Sequence, residues 1–421
     1  IDDDKIKSAG LIAIYLPMHT ATRLAVEVLP KIKNLNPRAY LAFYGLYAKL
    51  NKDLLLSLGG KTIISGEFEE NLVHLYKQLA DKKIFSNSDL VSLKRQNFRK
   101  PNRSHLPNLK NYAKLINGKA QSITVGYTEG TRGCKHICRH CPVVNVYKGR
   151  FFVVQPDVVM EDIRQQVEAG AEHITFGDPD FFNGPGHAFK LVKNFHEEFP
   201  DLTYDVTIKV EHLLAHREKL SLLAETGCIF VTTAVEEIDN EILCKLEKNH
   251  TRDDFVEIVN ATHTAGLTLS PTFIPFHPWT TTFGFIDLLS MISELNLIEN
   301  VSPVQLGIRL LIPEGSRILE LKDINQFLGD FDAEKLSYNW KPVDPLTDEL
   351  QTEVYKAIQF GVNEGASRRA IFEQVWVLAH NALNQLAPTL PPEPVGSTHV
   401  PTMSEPWYCC AEPNDEQVAG M

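Results

Sequence analysis

Apolar residues along this chain come in short runs, separated by stretches with helical spacing. Residues 11–16 form the first apolar run, 39–44 the second and 61–65 the third. Between them, residues 22–32 carry helical spacing, and 66–79 read as a helix with acidic residues at its start. Short continuous apolar runs fit strands buried on both faces, so the alternation predicts a parallel sheet with helices against it. Residues 86–120 are polar, rich in Asn, Lys, Pro and Ser, and predict a linker with one short helix.

The alternation resumes after residue 120. Runs at 122–127, 173–176, 204–210, 228–236, 267–274 and 304–311 are predicted strands. Helices are predicted over 156–169, with Asp157 placed to cap it and Gly170 to end it, and over 252–265, stopped by Gly266. Six strand–helix units predict a partial (β/α)6 barrel. Residues 344–386 are again helical in period, and 388–394 are proline-rich and extended. The predicted organisation is a small Rossmann-like α/β domain over 6–90, a linker over 91–120, the barrel over 121–320, a helical region over 321–390 and a tail over 391–421. The opening Ile1-Asp2-Asp3-Asp4-Lys5 looks like the remnant of a cleavable tag and is expected to lie outside the fold.

Composition narrows the function classes. A chain of 421 residues, 43% apolar, has the length for two to three units with substantial cores. A formal charge of −11 argues against nucleic acid as a partner, because phosphate neutralisation needs clustered Lys and Arg. The basic run from Lys94 to Lys100 reads as a solvated linker face. No apolar run reaches membrane-spanning length, so no membrane partner is expected. Seven cysteines, an odd number, without a secretory signal point to the cytoplasm, where thiols stay reduced. No glycine-rich phosphate loop follows the first strand, so no nucleotide site is expected there.

Three of those cysteines fall within eight residues, as Cys134-Lys135-His136-Ile137-Cys138-Arg139-His140-Cys141. A zinc knuckle would show a second pair of ligands at finger spacing, and none follows. Three thiolates on one tight loop can instead hold three corners of an iron–sulfur cube and leave the fourth iron open. A second pair, Cys409-Cys410, lies in the tail with Trp407, Tyr408 and Glu412 around it. It reads as a dispensable tail, a strained vicinal disulfide, or a soft two-thiolate site for a thiophilic atom. Cys228 and Cys244 carry no motif and are expected to pack in the interior.

The C-x3-C-x2-C loop resembles that of the radical S-adenosylmethionine (radical SAM) enzymes. The resemblance implies a four-iron four-sulfur (4Fe-4S) cluster on Cys134, Cys138 and Cys141, with SAM chelating the open iron and His140 beside the adenine. It places Gly177-Asp178-Pro179-Asp180 where the family has a Gly-Gly-Glu-type loop for the SAM amino group. Lys209 and Glu236, at later strand ends, become SAM contacts, and Arg309 a bidentate partner for the SAM carboxylate. His277 and Trp279 are expected to face the barrel mouth. The first domain resembles the cobalamin-binding domain of many such enzymes through Ser65-Gly66-Glu67-Phe68-Glu69. The Asp-x-His-x-x-Gly signature is absent, and His19 stands in another context. The expectation is therefore a degenerate relative without cobalamin, base-off binding remaining open.

Cys409-Cys410-Ala411-Glu412-Pro413 resembles the signature of the CCAEP-tail radical SAM family, in which a relative transfers a 3-amino-3-carboxypropyl group from SAM to trivalent arsenic. Three functions stand open on this reading. The first is transfer of a SAM-derived carbon group to a small-molecule or metalloid acceptor held by Cys409 and Cys410, with Glu412 beside them and a flavodoxin or ferredoxin as electron donor. The second is hydrogen abstraction from an organic or peptide substrate by a 5′-deoxyadenosyl radical. The third is a non-catalytic iron–sulfur or metalloid-binding protein.

Overall fold

A computed structural model describes residues 2–81, 88–117, 121–392 and 400–404. The first sheet is β1 (Leu11–Tyr15), β2 (Tyr40–Tyr44), β3 (Thr62–Gly66) and β4 (Ser88–Ser92), all parallel, in the order β1-β2-β3-β4. Leu16, Leu29, Phe43, Tyr47, Leu55 and Ile63 build its core against the helix His19–Leu35. The fourth strand lies where sequence predicted the linker. Its polar composition hid it: Asp89 pairs with Lys49 and Lys52 across the sheet edge instead of packing into a core. Residues 3–5, expected outside the fold, belong to the helix Asp3–Ser8, and Asp3 pairs with Lys31 at 2.8 Å.

The second sheet contains β5 (Lys114–Asn117), β6 (Gln121–Thr128), β9 (His173–Phe176), β10 (Thr203–Thr207), β11 (Cys228–Glu236), β12 (Leu269–Phe273) and β15 (Thr402–Met403), in the order β12-β11-β10-β9-β6-β5-β15. A short antiparallel pair joins β7 (Thr131–Gly133) to β8 (Phe151–Val153), and a hairpin of β13 (Leu328–Asp332) with β14 (Ser337–Trp340) bonds back to the chain through Tyr338 N, which donates to Ile312 O at 2.8 Å. Strands β6 and β9 to β12 run parallel and curl into a half-barrel. Strand β5 begins the sheet inside the expected linker and runs antiparallel to β6.

Helices cover the outer face. The helix Pro185–Glu198 lays Phe195 against Phe176 and Tyr204, and the rings of Phe176 and Tyr204 meet edge-on at 5.6 Å. Each such buried aromatic contributes roughly 1.5–3 kcal/mol. The helix Pro156–Glu168 has Gln155 at its N-cap and no side-chain cap, so Asp157 lies inside its first turn. A capping box of Thr251 and Asp254 starts the helix Arg252–Thr264.

The sixth strand does not form. Pro303–Gly307 is a 3-10 helix, and only a single parallel bridge, Phe276 with Arg309, continues the sheet. Pro303 favours a helical start, Gln305 uses its side chain to accept from Phe273 N at 3.1 Å, and the Gln351 amide donates to Gly307 O at 3.0 Å. Side chains thus take up part of the backbone hydrogen bonding that a ladder would supply. The helices Leu346–Asn363 and Arg368–Asn381 pack beside this segment, as their period predicted. No helix among the described residues is long and apolar enough to cross a membrane.

Candidate active site

Ligand sites of parallel α/β sheets lie at the C-terminal strand ends, and here that edge carries the cysteine loop. The loop leaves β7 through Gly133, whose φ is 76°. A Cβ there would lie 2.4 Å from the Tyr147 ring and 2.6 Å from Arg150 O, so only glycine allows this turn. Cys134 and Cys138 are buried and Cys141 half-buried, and none of the three forms a disulfide. The helix Pro142–Tyr147 begins immediately after, with proline in its first turn. Burial pushes the Cys134 thiol up to about 12, so iron binding must displace its proton.

The loop after β9, expected to hold SAM, instead braces the cysteine loop. Asp178 accepts from Gly130 N at 2.8 Å and Thr131 Oγ1 at 2.6 Å. Burial raises its carboxyl to about 7, against those two hydrogen bonds. Asp180 Oδ2 faces His136 Nε2 at 3.1 Å, and Oδ1 accepts from Phe182 N at 3.0 Å. Burial alone would raise Asp180, but the imidazoles of His136 and His212 outweigh it and hold the group at about 2. Asn183, which sequence reasoning passed over, donates to Gly133 O and accepts from Lys135 N, each at 3.1 Å. Gly177 has a packing reason: a Cβ would fall 1.9 Å from the Tyr127 hydroxyl. Both aspartates are thus turned toward the protein, a correction to their expected place on the SAM amine.

His140 and Glu236 do meet. Their Nε2 and Oε1 lie 3.2 Å apart, and Lys248 Nζ lies 3.3 Å from the same oxygen. Burial alone would raise Glu236; the Lys248 ammonium and the His140 hydrogen bond hold it down at about 2. Glu236 sits at φ 71°, in the left-handed region, where the β11–β12 register shifts. Such a conformation in a non-glycine residue is unfavourable and marks a position fixed by its surroundings. Burial would lower Lys248, but Glu236, Cys138 and Cys141 raise it. Lys248 is therefore a buried cation under the influence of two thiols of the cysteine loop, a role no residue pattern announced.

Lys209 ends the loop after β10, is buried, and lies 3.4 Å from Glu211. Arg309 is elsewhere. Its guanidinium pairs with Asp348 at 2.8 Å, donates to Trp340 O at 2.6 Å and stacks on the Trp340 ring at 3.6 Å. It ties the sheet to the C-terminal helices, a correction to its expected place on the SAM carboxylate. His277 is buried with Nε2 2.8 Å from Glu237, and half-buried Trp279 donates to Asp323 at 3.0 Å. Cys228 is buried as expected, whereas Cys244 is exposed. Cys409, Cys410 and Glu412 lie outside the described residues.

Several buried polar atoms near this edge lack hydrogen-bond partners: Nδ1 of His140 and His277, Thr233 Oγ1, and both nitrogens of His250. Burial, with Lys248 and Lys209 nearby, pushes His250 down to about 3, so it is a neutral donor and acceptor. An amino acid and nucleoside in one molecule needs such groups, and buried polar atoms left unpaired are costly. The three thiols, Lys248 and these atoms fit a 4Fe-4S cluster with SAM.

Comparison with known proteins agrees. Residues 128–288 match the model of the radical SAM superfamily, and the chain carries a radical SAM domain. That family implies a 4Fe-4S cluster and SAM. Among solved structures, the chain is similar to TsrM from Kitasatospora setae, a radical SAM methyltransferase solved with tryptophan and a SAM analogue: 16% identity, TM-score 0.58, 70% of this chain and 62% of that one. It is also similar to OxsB, a cobalamin-dependent SAM radical enzyme solved with aqua-cobalamin and SAM: 12% identity, TM-score 0.61, 85% of this chain and 60% of that one. At such identity the likeness is one of fold, and the chain spans roughly three-fifths of their length. No curated protein matches the sequence.

Proposed function

We propose that this chain is a radical SAM transferase that moves a SAM-derived carbon group, 3-amino-3-carboxypropyl in the first instance, to a soft acceptor such as trivalent arsenic held by Cys409 and Cys410. When bound, the 4Fe-4S cluster would supply one electron, from a flavodoxin- or ferredoxin-type donor, to break a carbon–sulfur bond of SAM; methylthioadenosine would leave, the carbon radical would add to trivalent arsenic, and the adduct would return one electron to the cluster and end as pentavalent arsenic. Cys134, Cys138 and Cys141 are its ligands, and Lys248 offsets the negative charge gathered on them. His140, held by Glu236, and neutral His250 bind and orient SAM. Buried Lys209 faces the SAM carboxylate, the part first assigned to Arg309.

The observation that carries the tail's part is β15. Its Thr402 and Met403 pair antiparallel with Ile116 and Leu115, and Ser404 N donates to Lys114 O at 2.8 Å. The chain therefore travels in the same direction as β6, toward the cluster edge, as it enters the tail. Lys114 stands level with Thr124, and β6 ends at Thr128. That climb is about 13 Å, and the five residues from Ser404 to Cys409 reach at most about 18 Å. The test is to replace Cys409 and Cys410 singly with serine and supply arsenite with SAM. Product is expected to fall at least tenfold in each variant while SAM cleavage persists. Unchanged product would remove the tail from the mechanism.

A second reading is methyl transfer through cobalamin, favoured by the likeness to TsrM, solved with cobalamin and a cluster, and to OxsB. The first domain offers an aromatic floor for it, with Tyr15 stacked on Tyr44 at 5.0 Å and Phe68 5.0 Å from Tyr44. It offers no imidazole from His19, which is buried in the first turn of its helix, edge-on to Tyr47. Cobalamin on this floor would be base-off, and its absorption spectrum after anaerobic loading separates the two readings.

A further inference from the structure

Behind the cysteine loop lies a side-chain cluster that neither the iron–sulfur chemistry nor SAM binding uses. His136 stands between Cys134 and Cys138, Asp180 follows β9, and His212 belongs to the helix Val210–Ala215. All three are buried, and one ligand atom from each lies within 4.8 Å of the others. Asp180 Oδ2 is 3.1 Å from His136 Nε2 and 2.7 Å from His212 Nδ1.

The two contacts are not alike. His136 forms a hydrogen bond to the carboxylate. His212 Nδ1, although nearer, does not have hydrogen-bond geometry to that oxygen, and its Nε2 has no hydrogen-bond partner. A buried imidazole that makes no aligned hydrogen bond is unfavourable, because its desolvation is left uncompensated. A proton on the line between nitrogen and oxygen does not explain this orientation, whereas an ion bound by both atoms does.

The surroundings also match a metal centre. The remaining oxygen of Asp180 is fixed by Phe182 N at 3.0 Å. The other nitrogen of His136 lies 3.4 Å from Glu211 Oε2, and Glu211 is held in turn by Lys209 at 3.4 Å. A carboxylate behind the non-ligating nitrogen sets the tautomer and raises the basicity of a ligand histidine.

We propose that His136, Asp180 and His212 bind one divalent transition ion, zinc in the first place, at a site separate from the iron–sulfur cluster. Two imidazoles, one carboxylate and a water in the fourth position are a common zinc set. Tetrahedral bonds of about 2.0–2.1 Å put ligand atoms about 3.3 Å apart, so the present gaps of 2.7 and 3.1 Å need only slight opening. The ion would join the cysteine loop, the loop after β9 and the helix after β10. It would thereby position the cluster loop rather than react.

The test uses the full chain with its cluster reconstituted in zinc-free buffer, then given one equivalent of zinc chloride and desalted. Elemental analysis is expected to find about one zinc per chain. Zinc-edge X-ray absorption is expected to show nitrogen and oxygen ligands alone, at about 2.0–2.1 Å. His212→Ala is expected to lower retained zinc at least tenfold. The proposal is overturned by less than a tenth of an equivalent in the unaltered protein, by sulfur ligands at about 2.3 Å, or by undiminished zinc in His212→Ala. The absorption spectrum of the unaltered protein decides even where the variant folds poorly.

Discussion

Lys248, 2% exposed, has its Nζ 3.3 Å from Glu236, and the thiolates of Cys138 and Cys141 add to the negative charge that keeps it protonated. Removing one partner of a buried pair is typically destabilising by about 3–5 kcal/mol, because the other charge stays behind unpaired. Lys248→Met is therefore expected to reduce the iron retained after reconstitution. In whatever cluster remains, the reduction potential moves down, since a nearby positive charge favours the reduced form. Iron analysis and a potentiometric titration followed by electron paramagnetic resonance check both; an unchanged potential would remove Lys248 from the cluster's electrostatics. The cysteines themselves were legible because their spacing is a covalent constraint written in the chain. Lys248 and Asn183 were not, because a lysine or asparagine in a polar loop looks the same whether it faces water or a buried thiol. Arg309 misled for the converse reason: a strand-end guanidinium suits any carboxylate, and Asp348, 39 residues on, claims it.

At the scale of elements, apolar runs located the five parallel barrel strands, since strands buried on both faces leave no other pattern. The elements that escaped are held by their neighbours rather than by their own composition. Strand β4 is stabilised by register with β3 and by Lys–Asp pairs at the edge. Strand β15, two residues long, exists through its pairing with β5, far earlier in the chain. That pairing yields a prediction of its own. Ser404→Pro removes the N–H that donates to Lys114 O, and proline cannot replace it. Cluster content and SAM cleavage are expected to persist, while product formed per SAM cleaved falls at least tenfold. Equal coupling in the variant and the parent, measured by chromatography of both products, would mean that β15 does not aim the tail.

Across the whole molecule, the two sheets are joined at the cluster edge rather than through a passive linker. Glu67, at the end of β3, is buried, accepts from the Tyr147 hydroxyl at 3.0 Å and lies 3.5 Å from Arg132. Arg132 also pairs with Glu69 and Glu129 and stacks on Phe98 at 4.9 Å. Arg132 and Tyr147 flank the cysteine loop on either side, so the first domain buttresses the cysteine loop. The same segment, Ser65 to Glu69, that suggested a cobalamin-type domain thus has a structural use here. The proposed open-iron cluster on Cys134, Cys138 and Cys141, and its cleavage of SAM, can be tested in one experiment. The reconstituted chain is reduced anaerobically with SAM, and the SAM-derived fragments are quantified against the Cys134→Ala, Cys138→Ala, Cys141→Ala variant. Methylthioadenosine with 2-aminobutyrate-type fragments is expected from the parent alone. SAM recovered intact from the reduced parent, or cleaved equally by the triple variant, would contradict it.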